Sequence, residues 1–210
     1  MKTMMQSRLA IQAATAAAAT QKQKTADITN GVDVNKLNET VTAVKQNPEL
    51  ASFKFRIQNR WIDCGENRSH VLPFSAGGKV FAHKVGFTLT ADEPEMLLGA
   101  DTGANPVEHL LHALASCVTT STVYHAAARG IKIERIESTL EGDLDLRGFL
   151  DLDPTVRKGY QNIRVSLQIK APNATEAQLR DLSTLGERFS PVYDTLSKGV
   201  RVAITTDWVE

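Results

Sequence analysis

Cysteine is nearly absent from the 210 residues: only Cys64 and Cys117 occur. Two thiols do not make a disulfide framework, and they fit a reducing compartment where thiols stay free, so a cytoplasmic location is expected. Long apolar runs are missing too. No stretch reaches the roughly 20 residues needed to cross a bilayer, so no membrane partner is expected. Charge of one sign is also lacking, since 24 lysines and arginines meet 24 aspartates and glutamates. An electrostatic binder of nucleic acid is usually basic, and this chain offers no such pull. There is no Walker A motif, and the glycines of LLGADTGAN do not follow a strand at dinucleotide-binding spacing. No serine lies in a strand–elbow–helix G-x-S-x-G context, which argues against a serine hydrolase of that type.

The length suits one domain with an extension. Residues 2 to 26 contain Lys2, Arg8, Lys22 and Lys24 but no acidic residue, around an alanine- and threonine-rich middle. Residues 1–30 are read as a flexible or weakly helical extension, with an organelle transit peptide as the alternative. The domain proper is assigned to 31–210.

Within it, Asp33 can cap a helix over residues 31–50 that carries Val34, Leu37, Val41 and Val44 and stops near Pro48. From Phe53 the apolar period changes to two, through Phe55 and Ile57, which predicts a half-buried strand. A second alternating run, Phe81 to Leu89, follows Gly77-Gly78 and predicts another. The clearest element spans 105–129. Asn105 suits an N-cap, Pro106 the first helical position and Glu108 the acid of a capping box, while Gly130 suits the stop. Leu110 to Val118 is almost wholly apolar, which predicts a long central helix buried on several faces.

Further alternating runs over 136–146 and 163–169 predict two more strands. Thr175 with Gln178 marks a capped helix, Ser190-Pro191 opens a short last helix that Gly199 closes, and Val200, Val202 and Ile204 predict a final strand. Strands, a buried helix, strands, two helices and a strand imply an α+β fold with antiparallel sheets.

Cys117 is the first candidate for chemistry. At about 100° per residue, Thr120, Ser121 and Tyr124 project within roughly 60° of it, and His109 and His125 lie roughly 80° away. A free cysteine in such a helix is commonly just a small buried apolar residue. Mid-helix is not an N-terminus, so a reactive thiolate here requires a cation from another segment. His109 and His112 lie three apart beside Glu108, but EHLLH is not the H-E-x-x-H arrangement that binds zinc, and no third ligand is evident. No metal or organic cofactor is expected.

The stretch GANPVEHLLHALASC, continuing into VTTSTVYHAAARGI, closely resembles the central helix of the OsmC and organic-hydroperoxide-resistance superfamily. There an N-P-x-E-like start leads, twelve residues on, to a cysteine, and Asn105 and Cys117 keep that spacing. ERFSPVYDTLSKGV resembles the family's second cysteine segment. The order of elements agrees from about residue 52 to 208. The resemblance implies an intertwined homodimer with the central helices packed together and active sites at the interface. It also implies that Cys117 attacks the peroxide O–O bond and becomes a sulfenic acid, with an arginine supplying the cation.

Carried over by position, that arginine is Arg68, with Arg60 as the alternative. The family's orienting glutamate falls on Val107; Glu108, next door, is better explained by capping. The second cysteine falls on Ser190, which cannot form a disulfide and suits a helix N-cap. Resolution then falls to Cys64 or to an external thiol reductant. The leading expectation is a dimeric thiol peroxidase acting on organic hydroperoxides. The alternative is a catalytically silent dimer of this fold that binds or senses a small apolar ligand.

Overall fold

The computed structural model describes residues 26–209. The extension assigned to residues 1–30, with its tail and transit-peptide readings, therefore lies almost wholly outside the described residues. Ile28–Thr29 (β1) and Val32–Asp33 (β2) form a small hairpin turned at Asn30 and Gly31, both with positive φ. That pair suits the twist of a two-residue hairpin turn. The Asn30 side chain also donates to Ile131 O and accepts from Ile133 N, at 3.0 and 2.9 Å. This fixes the hairpin to the segment that follows the central helix. Asp33 accepts from Lys36 N at 3.1 Å and caps α1, Val34–Gln46, as expected.

Two three-stranded antiparallel sheets follow. Phe53–Lys54 (β3), Phe74–Ala76 (β6) and Lys79–Phe81 (β7) make one, in the order β3-β6-β7. Ile57–Asp63 (β4), Glu66–Val71 (β5) and Thr88–Ala91 (β8) make the other, in the order β4-β5-β8. Both alternating runs expected as single strands are thus divided between two sheets. Phe53 belongs to one and Ile57 to the other, and Phe81 and Leu89 are parted in the same way. Alternation reports which face a side chain takes; it does not report which neighbouring strand the backbone joins. Phe53, Phe55, Phe74 and Phe81 stack across the first sheet, with centroids 5.6 to 6.5 Å apart.

The central helix α2, Pro106–Ala128, has its capping box complete: Val107 N donates to Asn105 Oδ1, and Asn105 N donates to Glu108 Oε2. Gly130 ends it at φ 69°. Arg135–Asp143 (β9) pairs in full antiparallel register with Asn162–Lys170 (β10), around a connection holding the helical turn Leu146–Phe149 (α3). Glu176–Phe189 (α4) and Pro191–Lys198 (α5) close the ordered elements. The core gathers Ala126, Ile131, Ala171, Leu182 and Leu185 between the end of α2, α4 and the β9–β10 sheet. The fold is α+β with antiparallel strand pairs, as expected.

Within one chain, Leu114, Val118, Thr122, Ala126 and Ala127 of α2 are buried, and beyond its first turn only His112, Ser116, Thr120, Tyr124 and Ala128 are exposed. One expectation is corrected. The run Val200 to Ile204 is no strand. It is unpaired, with Val202 76% and Ile204 87% exposed. Its alternation is that of a strand, but among the described residues it joins no sheet.

Candidate functional site

Cys117 lies half-buried on α2. The helical period places Leu110, Leu114, Cys117 and Ser121 on one stripe. Ser121 Oγ donates to Phe189 O at 3.2 Å, which seats the α4–α5 corner on that stripe one turn beyond Cys117. Ser190 is the next residue. It is 2% exposed, and its hydroxyl accepts from Tyr193 N at 3.1 Å, the N-cap of α5. The corner that carries Ser190 is thus seated on α2 one turn beyond Cys117. On the other side of Cys117, starting at Leu114 one turn back, a cavity of about 440 Å³ opens between α2, α5 and β10.

The start of α2 is held by contacts that sequence reasoning missed. Asp92 is 1% exposed, and its carboxylate accepts from the backbone N–H groups of Thr102, Glu93 and Ala100 and from the Thr102 hydroxyl. These hydrogen bonds, that from Thr102 N foremost, hold its carboxyl below the usual range. The loop closes so tightly that a Cβ on Gly99 would lie 1.9 Å from Glu93 O, which only glycine avoids. Asn105 Nδ2 donates to Glu93, and Tyr160 Oη donates to Val107 O at 3.0 Å. Burial, then the nearby Glu108, pushes the Tyr160 hydroxyl pKa up. The signal for Asp92 was only an acid at the end of a strand before a glycine-containing loop; its partners lie as far as ten residues away in sequence. Val107, the position onto which the resemblance carries the orienting glutamate, accepts from Tyr160 through its backbone, and Glu108 is committed to the cap.

Among the described residues no hydrogen bond or ion pair joins either arginine candidate to Cys117. Arg68 on β5 stands opposite Arg60 on β4 and Thr90 on β8. Its Nε and Nη2 both donate to Glu66 Oε1, at 3.0 and 2.7 Å, in an exposed pair. Cys64 sits in the β4–β5 turn at φ 41°, and its thiol donates to Leu98 O at 3.0 Å. Gly65 beside it packs over Asp92 and Glu93, so Cys64 lies near the start of α2. Cys117, twelve residues past Asn105, is about 18 Å further along the helix axis. Both cysteines are free thiols, Cys64 in the β4–β5 turn and Cys117 on α2. His109 is engaged with Thr90 O and His112 with Ser116 Oγ. Among the described residues no group of three or more histidine, cysteine or acidic side chains is placed to hold a metal ion. No helix among them is long and apolar enough to cross a membrane.

Comparison with known proteins bears on this arrangement. The pattern describing the OsmC-like protein family matches residues 99–205, about half of the chain, including all of α2, α4 and α5. The chain is similar to a solved OsmC-like protein of Mycoplasma pneumoniae, at 20% identity and TM-score 0.51. That match covers 69% of this chain and 87% of the other. It is also similar to an osmotic stress induced and detoxification response protein, described as putative, from Psychrobacter arcticus. There the identity is 13% and the TM-score 0.50, over 66% of this chain and 85% of the other. These likenesses concern the fold. No curated protein matches the sequence.

Proposed function

Since the chain belongs to the OsmC-like protein family, we propose that it is a dimeric, cytoplasmic thiol peroxidase that reduces organic hydroperoxides through Cys117. The observation that carries this reading is the position of Cys117. It is half-buried, on the helix stripe that runs from an apolar cavity at Leu114 to the Ser190 corner. In the proposed step the Cys117 thiolate attacks one peroxide oxygen, an S–O bond forms and the O–O bond breaks. The departing alkoxide takes a proton and leaves as the alcohol, and Cys117 becomes a sulfenic acid. Sulfur loses two electrons and the peroxide gains them. An external thiol then condenses with the sulfenic acid, releasing water, and a second thiol frees Cys117 from the mixed disulfide.

A homodimer is part of the proposal. Phe55, Trp61, Val202 and Ile204 are all more than two-thirds exposed in the single chain, and a second copy would cover apolar surface of this kind. Arg68, which among the described residues pairs with Glu66, would meet a Cys117 across the interface. The test is rapid mixing with cumene hydroperoxide, followed by intact mass and thiol counting on the natural protein and on Cys117→Ser. Fast loss of one thiol that requires Cys117 supports the reading; unchanged turnover in Cys117→Ser overturns it.

A silent ligand-binding dimer is the second reading. It is favoured by serine at position 190 and by the absence of a hydrogen-bonding or ionic partner for Cys117 among the described residues. Alkylation by iodoacetamide separates the two. A catalytic thiolate reacts quickly at neutral pH, whereas an inert thiol reacts no faster than in the unfolded chain.

A further inference from the structure

The last turn of α2 and the corner between α4 and α5 are joined through one imidazole. His125 stacks on Phe189, the last residue of α4, with ring centroids 3.7 Å apart. One turn earlier on α2, Ser121 Oγ donates to Phe189 O at 3.2 Å. These two contacts tie the corner to α2 immediately before Ser190. The corner itself is closed by short local bonds: Ser190 N donates to Gly186 O at 3.1 Å, Asp194 N to Ser190 O at 3.0 Å, and Tyr193 N to the Ser190 hydroxyl.

The surroundings of the ring require its neutral form. Arg129 Nη1 lies 3.3 Å from His125 Nδ1. A guanidinium has donors and no acceptor, so Nδ1 accepts this hydrogen bond and carries no proton. An imidazolium has hydrogen on both nitrogens, which sets donor against donor at this contact. The charges facing the ring are Arg129 from the end of α2 and Arg188 and Asp181 from α4. Asp181 is shared between the two arginines, at 2.9 and 3.3 Å, and the neighbouring Glu187 accepts from the Tyr193 hydroxyl. An imidazolium would gain from the face of Phe189. Against that it would be half-buried beside two guanidiniums, with one carboxylate that both already use. Burial and the two arginine charges prevail, and they push the His125 pKa down.

We propose that His125 is a proton-operated latch: the neutral imidazole holds the Phe189–Ser190 corner on α2, and protonation releases that corner while the rest of the fold stays closed. With the corner open the ring leaves both guanidiniums and regains water, so it binds the proton more readily there than in the closed form. The open population therefore rises as pH falls below the ordinary histidine range, about 6.5, and levels off once the closed form is protonated too. The latch lies on α2 beyond Cys117, and the inference stands whether or not that thiol turns over a peroxide.

Hydrogen exchange on the full-length protein, in urea concentrations below the unfolding transition, tests this at about pH 7.5 and about pH 5. The probes are the amides of Ser190, Tyr193 and Asp194, each rate corrected for the intrinsic effect of pH. Their protection is expected to fall about tenfold on acidification, the order of one lost hydrogen bond, through an opening that urea does not promote. His125→Phe keeps a ring against Phe189 and has no proton to bind, so protection of its corner should be the same at both pH values. His125→Gln, which lacks the ring as well, should also show no change with pH. Unchanged protection in the natural protein, an equal fall in either variant, or a fall with the urea dependence of global unfolding overturns the proposal.

Discussion

The imidazole of His125 lies flat on the phenyl ring of Phe189, with centroids 3.7 Å apart and planes 16° apart. Arg129 and Arg188 flank the same phenyl ring, at 5.6 and 5.0 Å from its centroid, and Asp181 pairs with both arginines. Arg129 also donates to His125 O at 2.8 Å. This stack joins the last turn of α2 to the last turn of α4, one turn from the contact that seats Ser190.

Burial, then the Arg129 and Arg188 charges, push the His125 pKa down, with Asp181 opposing them. The folded protein therefore binds this proton less readily than the unfolded chain does. Stability is expected to be highest above about pH 6.5, to fall as pH drops toward the lower folded value, and to level off below it. Tm measured between pH 7.5 and 5 should show this slope in the natural protein and lose it in His125→Gln. An identical slope in both would refute the assignment.

Gly186 lets α4 approach α2. A Cβ there would lie 2.6 Å from Val118 Cγ1 and 3.3 Å from Thr122 Oγ1. Alanine would gain about 1 kcal/mol of helix propensity. Overpacking against a valine with restricted χ1 costs about 1–3 kcal/mol, so Gly186→Ala is expected to be net destabilising. Val118→Ala should relieve the clash. In urea melts the double variant should then be more stable than the two single changes added together. Simple additivity would show that the helices do not meet here as closely as described.

Leu185, fully buried in the core cluster, serves as the scale for that experiment. Leu185→Ala is expected to cost about 2–5 kcal/mol, through lost burial and the cavity left behind. A cost below ~1 kcal/mol would mean that the α4 face is not part of the core.

The Asp92 clamp should be sensitive to acid. Because its carboxyl is held below the usual range, its contribution is complete above about pH 3.9 and is lost as pH falls through the lower folded value. Asp92→Asn would turn an amide donor toward the donors of Ala100 and Thr102. Proteolysis of the 93–103 loop is expected to be faster in this variant at neutral pH. Equal cleavage rates would show that the carboxylate is not what closes the loop.

Ser190→Cys places a thiol at the corner seated on α2 one turn beyond Cys117. Under the peroxidase reading, hydroperoxide should convert this variant to a form with a disulfide between Cys117 and the introduced thiol, detected by non-reducing peptide mapping. Loss of the hydroxyl cap on α5 should cost about 1 kcal/mol. A Cys117 sulfenic acid that persists while the introduced thiol stays free would count against the two positions cooperating.

What was legible in the sequence was local. Asn105 with Glu108, Thr175 with Gln178, and Asp33 each announced a helix start that the structure reproduces, because a cap is satisfied within three residues. The alternation that makes β9 and β10 was equally plain, and the Asn105-to-Cys117 spacing carried the family. Tertiary structure alone decided which sheet each half of 53–57 and 81–89 would join, and that Val200 to Ile204 would have no partner within one chain. It also decided that Arg68 turns to Glu66 and that Asp92 closes a loop from across ten residues. These outcomes depend on which distant backbone or charge arrives beside a residue. Helix period and capping chemistry act over one or two turns, and they carry no information about that arrival.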